Sequence, residues 1–180
     1  MKTIIKLFLP VLLIFVVFSA CTAEKQIDIF ILLKRYSNVS EKLKAEENSV
    51  YLTHTDGEKK YSVPLTLNGE ACGLLTAYPD EYGNLKSAAM TSDSEDGVDA
   101  MRDLVCAFTG LAEGEAYDII KELTEPPVSE KIRYTQRGSH RFTYTVKEPG
   151  YYFSVEDIRY VSTEDAEFTL RQTTSLISSQ

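Results

Sequence analysis

Few side chains in this chain could carry chemistry. It holds three cysteines and two histidines. His54 and His140 lie far apart, and neither has a cysteine or a second histidine at the spacing a zinc site uses. A covalent hydrolase needs a nucleophile beside a base. The chain has no GxSxG, and no histidine stands close in sequence to Cys72 or Cys106. Arg102, one turn before Cys106, is the one neighbour able to lower a thiol pKa. Gly110-Leu111-Ala112-Glu113-Gly114 lacks the lysine and the preceding strand of a phosphate loop. Asp93, Glu95, Asp96, Asp99 and Asp103 crowd around Gly97, a calcium-like composition. The EF-hand spacing fails, because its first and third ligands would be Ser92 and Ser94. The cluster reads instead as the acid-loaded start of a helix. Lys131, Arg133, Arg137, His140, Arg141 and Lys147 form a basic island, and Arg133, Arg137 and Arg141 are its candidate partner-binding residues. Such a surface suits an acidic protein or an anionic envelope polymer. These side chains imply no catalysis, no metal and no cofactor.

The strongest pattern lies at the amino end. Lys2 and Lys6 precede an uncharged run, Leu7 to Phe18, broken only by Pro10. A transmembrane helix needs about 20 apolar residues. This run has the length of the hydrophobic region of a secretory signal. Phe18-Ser19-Ala20-Cys21 follows, with small residues at the two positions before a thiol. The segment resembles the lipobox of bacterial lipoprotein signal peptides, with Phe18 where Leu is usual. The resemblance implies cleavage before Cys21 and a diacylglyceryl group on its sulfur. It also implies an extracytoplasmic protein, lipid-anchored at the cell membrane or outer membrane, whose first partner is the bilayer. Thr22 stands where Asp would resemble an inner-membrane retention signal, and the number of host membranes stays open. In length, lipobox and element order the chain resembles small, uncharacterised lipoproteins of Gram-positive bacteria.

Charge narrows the partners. The chain carries 19 basic and 27 acidic residues. Loss of Lys2 and Lys6 with the signal leaves 17 against 27, a net charge of about −10 with histidine neutral. That surface repels nucleic acid and, on average, anionic headgroups.

The organisation expected is a signal peptide at 1–20, a short lipidated tether at 21–26 and one α+β domain at 27–180. Ile27 to about Lys44 reads as a helix through Ile29, Leu32, Leu33, Tyr36, Val39 and Leu43, although its apolar start also suits a buried strand. Residues 50–54, 59–67, 71–78 and 85–92 read as a four-strand meander. Asp56-Gly57, Asn68-Gly69 and the loop Pro79–Asn84 supply its turns. Pro64 cannot donate to a ladder and points to an edge or bulge. Residues 94–123 read as two helices separated at Gly110, the first with a stripe of Val98, Met101, Leu104, Val105, Phe108 and Leu111. About three C-terminal strands follow, at 141–147, 151–155 and around Phe168 and Leu170. The expected fold is therefore an antiparallel sheet packed by helices on one face. Cys106 falls on the flank of its helix away from that stripe, so no Cys72–Cys106 disulfide is expected. The expected function is a non-catalytic binding or interaction module close to the membrane. The alternative is an envelope hydrolase acting on cell wall or peptides, which requires a histidine beside a nucleophile or carboxylate in a cleft.

Overall fold

The computed structural model describes residues 26–55, 58–93, 96–125, 132–147 and 150–160. Helix α1, Ile29–Val39, opens the fold. The Asp28 carboxylate accepts the Ile31 N–H at 2.8 Å and caps the helix. Its buried residues are Ile29, Leu32, Leu33 and Tyr36, spaced as one helical face. The helix is shorter than the sequence suggests. At Ser40 the chain turns extended, the Ser40 hydroxyl donates to the Leu43 carbonyl, and a short strand β1, Leu43–Ala45, follows. Leu43 is thus a strand residue in the core and not the last rung of a helix.

A one-turn 3-10 helix, Glu47–Ser49, leads to the meander: β2 (Tyr51–Thr55), β3 (Glu58–Leu67), β4 (Glu70–Pro79) and β5 (Leu85–Ser92). The Asn68-Gly69 turn has positive φ at both residues, 54° and 86°, the conformation a two-residue hairpin of matching twist demands. Asp56-Gly57 lies outside the described residues. Pro64 marks a joint in the sheet. β2 pairs with β3 as far as Ser62, and β1 takes over from Leu65. Between them the Pro64 carbonyl accepts the Glu46 N–H at 3.0 Å, and no donor from Pro64 is required.

Helices α2 (Gly97–Thr109) and α3 (Glu113–Thr124) follow, divided by Gly110 in the left-handed conformation at φ 76°. In α2 the core residues are Ala100, Met101, Leu104, Val105 and Phe108. Val98, expected in that stripe, is exposed, because Gly97 is the residue of the first turn that faces the sheet. The chain then forms β6 (Ile132–Arg137), β7 (His140–Lys147) and β8 (Gly150–Asp157). The three C-terminal strands thus include β6, an element earlier than expected. The stretch around Phe168 and Leu170 lies outside the described residues.

The strand order is β1-β3-β4-β5-β8-β7-β6, all antiparallel, with β2 also on β3. The meander and the C-terminal strands join where β5 pairs with β8, with Ala88 opposite Val155 and Met90 opposite Phe153. One face of this sheet is apolar: Val63, Leu65, Leu75, Ala88, Met90, Phe153, Val155 and Phe142 are buried. α2 packs on β5 and β8, α3 on β6 and β7, and α1 on α2 and β1. The protein is therefore an α+β fold, an antiparallel sheet of eight strands with its helices packed against it. Cys72 and Cys106 are both free thiols. The Cys72 sulfur lies 3.6 Å from the Leu65 carbonyl, and burial raises the pKa of each thiol.

Candidate functional site

α1 runs antiparallel to α2. Lys42, just past α1, reaches Asp96 and Asp99 at the start of α2, while Arg35 donates to the Ala107 carbonyl near its end at 3.4 Å. The two ends of the domain therefore differ. At one end the start of α1, the end of α2, the start of β5, the start of β7 and the end of β8 converge around a cleft of about 150 Å³. A water occupies roughly 30 Å³ of liquid and a typical ligand pocket holds 300 Å³ or more. The cleft thus holds a few waters or one small group and is smaller than a typical ligand pocket.

Its walls are assembled from distant parts of the chain. Gln26 and Ile27 enter from the tether side, where the Ile27 carbonyl accepts the Leu85 N–H at 2.8 Å. Arg35 comes from α1 and Phe108 and Thr109 from α2. His140 and Asp157 are direct register partners on β7 and β8, and Arg159 and Tyr160 follow β8. Arg159 grips Asp157 with both carboxylate oxygens engaged, at 2.9 and 2.6 Å. Burial works against the Asp157 charge. The hydrogen bonds and charge of Arg159, helped by His140, outweigh it and hold the carboxyl below its usual range. The Phe108 ring meets His140 edge-on at 6.0 Å. The Thr109 hydroxyl is committed, donating to the Val105 carbonyl at 2.7 Å and accepting the Leu111 N–H at 3.1 Å.

The basic island is divided by the sheet. Arg133 and Arg137 lie on the helix-facing side, on α3. Arg133 donates to the carbonyls of Glu122, Leu123 and Glu125 at 3.2–3.3 Å, where a helix C-terminus favours a cation. Arg137 pairs with Glu122, and its guanidinium also reaches the Thr135 hydroxyl at 3.0 Å. Hydrogen bonding from Thr135 and then the pairing with Arg137 hold the Glu122 carboxyl low. Arg141 lies on the other face, with Nε 2.8 Å from Glu156, whose side chain is buried. The three arginines thus form no single patch, and each is engaged within the fold.

Of the acidic cluster, Asp96 and Asp99 pair with Lys42, and Asp99 and Asp103 with Arg102. Among the described residues no group of three His, Cys, Asp or Glu side chains could hold a metal ion. His54 sits exposed on β2. His140 is the sequence candidate that reaches the cleft. Arg35, Asp157, Arg159 and Tyr160 were not legible as site residues, because pairing of β5 with β8 and packing of α1 on α2 bring them together across the chain. Cys21 lies outside the described residues. No protein-family model, curated protein or solved structure matches the chain.

Proposed function

We propose that the protein is a lipoprotein held on the outer side of a membrane through a lipid on Cys21, and that its domain is a non-catalytic binding module working against the membrane surface. The observation that carries this reading is the brevity of the tether. Ile27 is already packed, and its carbonyl is bonded to Leu85, only six residues after Cys21 in the sequence. A chain gains at most about 3.3–3.6 Å per residue, so Cys21 stands within roughly 20 Å of that fixed point. No described helix is long and apolar enough to cross a membrane.

Thr109 favours binding over catalysis, because its hydroxyl is tied to the backbone on both sides and is not free to act as a nucleophile. The unknown partner is a protein or an envelope polymer. One observation favours the alternative, an envelope hydrolase: His140 and Asp157 face each other in the cleft. Loss of a cell-wall or peptide hydrolysis activity on His140→Ala, in a variant that melts like the wild type, would establish that alternative.

The lipid anchor is tested by Cys21→Ala and fractionation. The variant is expected in the soluble or released fraction, with an unchanged melting temperature. Full membrane retention would overturn the reading.

A further inference from the structure

The two ends of the domain present different surfaces. The cleft end carries three exposed aromatic side chains. Phe30 is 70% exposed on the first turn of α1, Tyr82 is 82% exposed in the β4–β5 loop, and Tyr160 is 42% exposed at the cleft wall. Tyr160 is joined to the tether side, its hydroxyl accepting from the Gln26 amide at 3.4 Å. The β4–β5 loop is held firmly: the Asp80 carboxylate accepts the N–H groups of Tyr82 and Asn84, each at 2.8 Å. Tyr82 is thus presented on an ordered turn. Tyrosine settles at the headgroup level of a bilayer, and phenylalanine inserts at the boundary between headgroups and acyl chains.

Charge follows the same polarity. Arg35 lines the cleft, and its single bond is the 3.4 Å contact with Ala107; among the described residues it has no carboxylate partner. Of the acids at the cleft end, Asp157 is engaged by Arg159, Asp80 by its own loop and Asp28 by the Ile31 N–H of α1, while Glu81 and, just past Gly110, Glu115 are exposed. The opposite end carries Glu41, Glu46, Glu47, Asp93, Asp96 and Asp99, against Lys42, Lys44 and Arg102. A bilayer with anionic lipid repels that end more than the cleft end.

The tether adds the third argument. Gln26, five residues after Cys21, forms part of the cleft wall. Fully extended, that chain spans about 17 Å. An anchored domain cannot turn its cleft end far from the membrane.

We propose that the domain rests on the bilayer through its cleft end, with Tyr82 and Tyr160 at headgroup depth and Phe30 at the boundary between headgroups and acyl chains. This rests on the lipid-anchor reading above. The chain contains no tryptophan, so each single tryptophan variant is a clean probe. Phe30→Trp, Tyr82→Trp and, as control on the edge strand, Tyr51→Trp are made in the lipidated protein and placed in phosphatidylglycerol–phosphatidylcholine vesicles. The vesicles carry lipids brominated near the headgroup. The first two variants are expected to show blue-shifted emission and stronger quenching than the control. Vesicle-bound protein in which all three probes are quenched alike, or not at all, would overturn this inference and leave the anchor standing. Protein that washes off the vesicles in carbonate would overturn both.

Discussion

The ring of Phe108 meets His140 edge-on, with centroids 6.0 Å apart and planes at 87°. The contact ties the end of α2 to the start of β7 and builds one wall of the cleft. Phe108 is buried at 4% exposure. Phe108→Ala should cost about 3–5 kcal/mol. Urea unfolding checks this, and a change below about 1 kcal/mol would contradict the assignment of Phe108 to the core.

Gly97 faces Tyr151 where α2 crosses the sheet. A Cβ on Gly97 would stand 2.4 Å from Cε1 of that ring. Alanine is the better helix former by about 1 kcal/mol, but overpacking costs about 1–3 kcal/mol. Gly97→Ala is expected to lower the melting temperature, and Tyr151→Val in the same chain to recover part of the loss. A stabilised single variant would show that the ring moves aside freely.

Arg141 and Glu156 form a partly buried pair. Removing the arginine leaves a carboxylate in the sheet without its cation, at a cost of about 3 kcal/mol. Arg141→Ala should therefore unfold at lower denaturant, while Arg141→Met with Glu156→Leu should recover most of the stability. If Arg141 instead serves mainly to meet a partner, the single variant will unfold like the wild type.

Asp157 has a carboxyl held below its usual range by Arg159 against the opposing effect of burial. A carboxyl depressed on folding adds stability that is complete above its ordinary value of 3.8 and disappears as the pH falls through its folded value. The stability difference between wild type and Asp157→Asn should therefore shrink as the pH falls from about 5 to about 2. Chemical denaturation across that range reads the effect, and a pH-independent difference would contradict the ion-pair account.

Local signals were legible in the sequence where one residue type forces one conformation. Asn68-Gly69 gave its turn, Gly110 its helix end, and the alternation of Phe142 and Tyr144 with Arg141 and Thr143 its two-faced strand. Ser40 to Lys44 reads as helix in the sequence because Leu43 fits both a helical and a strand period, and only pairing with Leu67 decides. β6 was missed because Ile132–Arg137 is polar on most positions and is a strand by virtue of its hairpin with β7. The cleft was invisible for a different reason. Arg35, His140 and Asp157 are separated along the chain and carry no local spacing, so only the packing of α1 on α2 and the pairing of β5 with β8 and of β7 with β8 reveal them. The proposed lipidation at Cys21 has the opposite character, since the pattern that suggests it is entirely local.

The central claim is that the mature protein begins at a lipidated Cys21. Mass spectrometry of the amino-terminal peptide, taken from protein extracted out of the producing membrane, tests it most directly. The account predicts a peptide starting at Cys21 with a diacylglyceryl group on its sulfur. A mature chain that starts at another residue, or at Cys21 with an unmodified thiol, would contradict it.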